Sequence, residues 1–192
     1  MMPRLALAAL LLWTAAAGAV NVGGVVLPDS VRLTPGGPEL ALNGAGERRI
    51  MMFRIYAIGL YLPARAATMQ DVLALRGPKR MLLVILRNEI TSKQVHEHVV
   101  DRIEDGTQPE EMAVMRARME DLDKIIQSEE IIRRGGTISL DYFPDRGTVI
   151  RINGVAHGNP IPGEDFYNAL LRLWLGERAK SASLRDALLG RD

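Results

Sequence analysis

Cysteine is absent from all 192 residues. A disulfide scaffold, a cysteine-ligated zinc, an iron–sulfur cluster and a thiol nucleophile are therefore excluded. An excess of charge is lacking too: 24 Lys and Arg stand against 23 Asp and Glu. That balance does not supply the electrostatic footprint of a general nucleic-acid binder. The usual catalytic signatures are missing as well. The chain has no G-x-S-x-G elbow, no phosphate-binding loop and no H-E-x-x-H helix. Beyond residue 19 no run is long and apolar enough to cross a membrane.

What is present is an ordinary globular composition, 47% apolar and 24% charged, in a length that one domain fills. Residues 1–19 carry one basic residue, Arg4, then an apolar run from Leu5 to Trp13, then small residues ending Ala17-Gly18-Ala19. This is the layout of a secretory signal peptide, and cleavage is expected after Ala19. A retained N-terminal anchor is the alternative. Cleavage leaves residues 20–192 as a single domain, starting at Val20, with 23 basic residues against 23 acidic. The product is then secreted, or periplasmic in a Gram-negative cell. Without Cys it avoids the oxidising chemistry of that compartment.

The remainder reads as strands, helices, strands and helices. Val25 to Leu33 and Glu39 to Leu42 alternate weakly and suggest short strands. Phe53 to Leu62 and Arg80 to Arg87 are runs of strand length rich in branched residues. Thr68 to Leu75 suggests a short helix. Thr91-Ser-Lys-Gln94 is a capping-box pattern that opens a helix reaching Glu104. A second helix starts near Pro109, with Met112, Met115, Met119, Leu122 and Ile126 as its buried stripe. Thr137 to Phe143 and Thr148 to Asn153 suggest a hairpin, and Asp165 to Leu175 and Ser183 to Leu189 two closing helices. Strands on both sides of a helical block imply an α+β domain, its helices on one face of a mostly antiparallel sheet.

Few residues stand out chemically. His96 and His98 are two apart, which on a helix separates them too far to hold one ion. His157 falls in a stretch that reads as a loop, and Gly44-Ala-Gly46 reads as a turn. Arg54, Tyr56 and Ile58 alternate to one side of their strand, with Phe53, Ile55 and Ala57 on the other. His98 and Arg102 form an i, i+4 pair on the border of an apolar stripe. Met112, Met115 and Met119 suit either plain core or a wall adapting to an acyl chain. Phe166 and Trp174 divide in the same way, with core favoured.

The segment LNGAGERR through FRIYAIGLYLP resembles the chalcone isomerase-like family, as do TSKQVHEHVVDRI and FYNALLRLWLGERAKSASLRDALLG. The last block is closest to the family's bacterial branch, and the likeness spans nearly all of residues 40–190. It implies an open-faced β-sandwich: a large antiparallel sheet, a layer of helices on one face, and a ligand cleft between them. It also implies a choice between cyclising a chalcone and binding a fatty acid without catalysis. The family arginine matches Arg48. The isomerases' strand threonine matches Tyr56, the fatty-acid-binder choice. Their helix tyrosine matches Val95, and their helix lysine and asparagine match His98 and Arg102.

The expectation is an exported, non-catalytic binder of a small amphipathic ligand such as a fatty acid. Arg48, Tyr56, His98 and Arg102 are its ligand-binding residues. No catalytic residue, cofactor, metal or nucleic-acid partner is expected, nor stable membrane insertion once the signal is cleaved. The alternatives are an isomerase- or lyase-type enzyme using Arg48 and Tyr56, and a structural module with a closed cleft. One point stays open. On one straight strand Arg48 and Tyr56 would lie about 26 Å apart. Convergence requires a reversal within Ile50 to Phe53, which lacks turn residues.

Overall fold

The structure is a computed structural model describing residues 18–191. Residues 1–17, nearly all of the expected signal peptide, lie outside the described residues. The strands are β1 (Ala19–Val22), β2 (Val25–Pro28), β3 (Ser30–Arg32), β4 (Glu39–Ile50), β5 (Phe53–Leu62) and β6 (Lys79–Ile85), then β7 (Glu89–Thr91), β8 (Ile131–Arg133), β9 (Thr137–Phe143), β10 (Gly147–Ile152) and β11 (Val155–Ile161). The helices are α1 (Met69–Ala74), α2 (Ser92–Gly106), α3 (Pro109–Gln127), α4 (Glu164–Leu175) and α5 (Ala182–Leu188).

Seven strands make one sheet in the order β11-β10-β9-β6-β5-β4-β3, each neighbouring pair antiparallel. The order is that of the chain, interrupted once. Between β6 and β9 the chain leaves the sheet and forms α2 and α3, with β7 and β8 paired as a ribbon at their base. Period-two alternation then sets the core. Tyr56, Ile58, Leu60 and Leu62 of β5, with Met81, Leu83 and Ile85 of β6, turn to the helices and join one buried cluster. α4 contributes most to it. Eight of its twelve residues are buried, the mark of a helix enclosed on nearly all sides.

The opposite face is only partly covered. Leu27 of the β1–β2 hairpin, 1% exposed, packs there beside Gly59. Farther along, Asp141 is fully buried beneath Arg80, whose Nε and Nη2 both donate to it at 2.6 Å. The architecture is thus the expected open-faced α+β sandwich. Among the described residues no helix is long and apolar enough to cross a membrane.

Helix starts follow their local chemistry. Thr91 caps α2 through the reciprocal bonds with Gln94, and Pro109 occupies the first turn of α3. Several local readings need correction. Val25 to Leu33 is two strands in different sheets, divided after Pro28. His157 lies in β11, an edge strand; its Gly158 and Pro160 disguise it, because proline is tolerated only where no ladder donor is needed.

The Gly44-Ala-Gly46 segment is the middle of the twelve-residue β4, not a turn. Its glycines serve close approach. A Cβ on Gly44 would sit 2.1 Å from the Ala187 carbonyl oxygen, and one on Gly46 would sit 2.8 Å from Leu184. α5 therefore rests directly on the β4 backbone. Asn43, at the neighbouring bulge, locks this contact: its Nδ2 donates to the Leu188 and Ala66 carbonyls at 2.8 and 2.9 Å.

Gly44→Ala is expected to lower unfolding stability by about 1–3 kcal/mol, because the obstacle is backbone and cannot rotate away. Gly106→Ala, in open space at the end of α2, should be neutral or stabilising by up to about 1 kcal/mol. Urea unfolding midpoints of the two variants check the contrast.

Candidate ligand-binding site

Between the sheet and α2, α3 and α4 lies a cavity of about 250 Å³. Its walls are apolar: Ile85, Leu140 and Ile150 on the sheet side, Val95, Val99 and Ile125 on the helix side. Side chains do not fill it. Polar groups gather at one corner, where Arg48, Tyr56, His98 and Trp174 border the cavity. Arg102 and Lys180 join them around a small extension toward the α4–α5 connection.

The corner is assembled by the β4–β5 hairpin. The chain does reverse within Ile50 to Phe53: these two residues pair, and Met51 takes a φ of 53° at the tip. Arg48 thereby falls directly opposite Tyr56. Such cross-strand neighbours hold their Cβ atoms roughly 4.5–5.5 Å apart. The 26 Å separation of a straight strand is replaced by adjacency.

A register shift also changes which residues share a face. Arg48 pairs with Tyr56 and Arg49 with Arg54, so Ile55 is the extra residue of a β-bulge. Ile55 and Tyr56 both border the cavity. Arg54 turns to the far side, where its Nε donates to Glu47 at 2.8 Å. The expected alternation, with Arg54 beside Tyr56, fails at this bulge.

Tyr56 is 5% exposed, and its hydroxyl accepts a hydrogen bond from Trp174 Nε1 at 2.9 Å. Burial raises the phenol above its ordinary pKa, against the opposing effects of that bond, Arg48 and Arg102. The hydroxyl keeps its proton at neutral pH, and among the described residues nothing accepts it. His98 packs edge-on against the Tyr56 ring, with centroids 6.5 Å apart. Burial, then Arg102, Arg48 and Lys180, push its imidazole down to about 4. His98 is therefore neutral at physiological pH. Arg48 Nη1 reaches only the Lys180 carbonyl, at 3.5 Å. Among the described residues no carboxylate pairs with Arg48, Arg102 or Lys180.

Of the four residues singled out in the sequence, Arg48, Tyr56 and His98 thus border the cavity, and all four line the small pocket beside it. Val95 borders the same cavity from α2. Two participants lay outside that reading. Trp174 favoured core; it is core, and it also bonds Tyr56. Lys180 lies in the α4–α5 connection, just before the Ser181 cap of α5, and carries no pattern that would mark it. Met115 and Met119 are buried core rather than cavity wall. His96 ties α2 to α3 through Asp123, and His157 meets Ser128 at 2.8 Å. Neither borders the cavity.

The model of the chalcone isomerase-like family matches residues 19–190, and the chain belongs to that family. No curated protein matches it. Among solved structures it is similar to a fatty-acid binding protein of Arabidopsis thaliana, with a TM-score of 0.69 at 18% identity. That match covers 90% of this chain and 96% of the other, so the two share a fold.

The depressed pKa of His98 has a consequence for stability. Between about 6.5 and about 4 the unfolded chain binds a proton there that the folded chain refuses. Stability contributed at this site therefore falls as pH drops through that window. His98→Gln should flatten this part of the profile, as read by urea unfolding at a series of pH values.

Proposed function

We propose that this chalcone isomerase-like protein binds a carboxylate-headed apolar ligand, such as a fatty acid, without transforming it. The observation that carries this reading is the polar corner itself: Arg48 borders the apolar cleft, Arg102 and Lys180 join it in the adjoining small pocket, and among the described residues none of the three has a carboxylate partner. Cations so placed are most stable when an anion arrives. Arg48 presents a planar fork suited to a carboxylate, and the Tyr56 hydroxyl adds a donor beside it. The ligand's chain would then replace empty space against the Val95, Ile85 and Ile150 walls. The solved protein of the same fold that is named a fatty-acid binding protein supports the choice of ligand.

Two features favour binding over catalysis. A general acid or base works best with a pKa near the working pH, and His98 lies far below it. Val95, at the position matching the isomerases' helix tyrosine, offers the cavity no polar atom. The protein acts after export, with residues 1–19 removed.

Arg48→Ala should weaken dodecanoate binding about 10- to 100-fold, the loss expected for a charge-assisted hydrogen bond. Dodecanol, lacking the charge, should bind both proteins alike. Calorimetric titration of both ligands distinguishes the outcomes; equal dodecanoate affinity in the two proteins would refute the assignment. N-terminal sequencing of the exported product should begin at Val20.

A further inference from the structure

The β4–β5 hairpin ends in four consecutive large apolar residues that face water. Ile50, Met51, Met52 and Phe53 are 48%, 88%, 79% and 64% exposed. Among the described residues, the other exposed large hydrophobics do not adjoin one another in the chain. Such a run costs solubility and calls for a function.

Three observations bear on what covers it. The first is position. Ile50 borders the cavity, so the tip stands at the cleft mouth beside exposed Arg87. The second is charge. Arg48, Arg49, Arg54 and Arg87 surround the base of the tip, and among the described residues Glu47 is the one acid bonded to them, held by both Arg49 and Arg54. Across the mouth Glu129 faces His157 at 3.8 Å. The base is thus cationic. The third is conformation. Met51 has a φ of 53° at the first position of a two-residue reversal, where glycine is unstrained. Holding a long apolar side chain there carries a backbone cost, which points to use of the side chain itself.

A protein partner fits poorly. Stable protein interfaces engage roughly 20–30 residues a side, and this tip offers four. A lipid interface needs only a few apolar side chains above a cationic rim. We infer that the Ile50–Phe53 tip inserts into the headgroup region of an anionic bilayer and sets the cleft mouth on the membrane surface. Docking stands independently of the ligand. Passage of the ligand between bilayer and cleft rests on the carboxylate-binding reading above.

The absence of Cys allows a single reporter to be placed at will. Met52→Cys carries an environment-sensitive fluorophore at the tip. Asp145→Cys carries it in the β9–β10 turn, at the other end of the sheet, since Lys79 at the start of β6 pairs with Tyr142 and Ile85 at its end pairs with Tyr56. With vesicles of phosphatidylcholine and phosphatidylglycerol, the label at 52 should shift to the blue and the label at 145 should not. Adding Met51→Ser and Phe53→Ser should reduce vesicle binding roughly tenfold or more, and added salt should weaken it. Met51→Gly should weaken vesicle binding while leaving the fold as stable or more so. No shift at 52, equal shifts at 52 and 145, or undiminished binding in the serine variant would overturn the proposal. So would a dimer, seen by sedimentation velocity, that the serine substitutions dissolve. Dodecanoate titration of the serine variant without vesicles reads the ligand site separately, so failure of docking and failure of the binding reading are distinguishable.

Discussion

The antiparallel pairing of β4 with β5 is the constraint on which the site depends. It sets Arg48 opposite Tyr56, and no other feature of the chain brings these two together. The bulge at Ile55 then decides which of the neighbouring residues reach the cavity. Without it, Arg54 would share the Tyr56 face, and a further buried cation would stand in the corner. With it, Arg54 is neutralised by Glu47 on the far side, and Ile55 extends the apolar wall. The same hairpin carries α5 on its glycine-lined backbone, which positions the connection bearing Lys180.

The electrostatics of the corner follow from that placement. Low dielectric and converging cations make a charged imidazole unfavourable, so His98 stays neutral and serves as an edge for the Tyr56 ring. The phenol also stays neutral, because burial outweighs the arginines beside it. The corner thus offers positive charge and a hydroxyl proton, and among the described residues no anion. A structure that leaves cations unpaired beside an apolar cavity carries a standing cost, and a carboxylate with a hydrocarbon tail relieves both parts of it.

Much of the scaffold was legible in the chain because its signals are local. The Thr91–Gln94 box, Pro109 at the first turn of α3, and the branched runs of β5 and β6 each act within a few residues of themselves. What misled were residues whose meaning depends on a distant neighbour. Gly44 and Gly46 look like a turn until α5 is laid against them. β11 looks like a loop until its edge position excuses Pro160. Trp174 looks like core until Tyr56 is set beside it.

The sequence by itself determined the strand runs, the caps, the near-neutral cysteine-free composition and, through family likeness, the four residues of the corner. These rest on short-range periodicity and residue chemistry, which a linear chain displays. Only the tertiary structure decided that the corner exists. The reversal at Met51 has no turn residues to announce it, because cross-strand pairing along β4 and β5 outweighs the strain of one positive φ. The exposure of the tip and the unpaired state of Arg48 were equally out of reach. Both are properties of what lies nearby in space, and the packing of distant segments alone sets that.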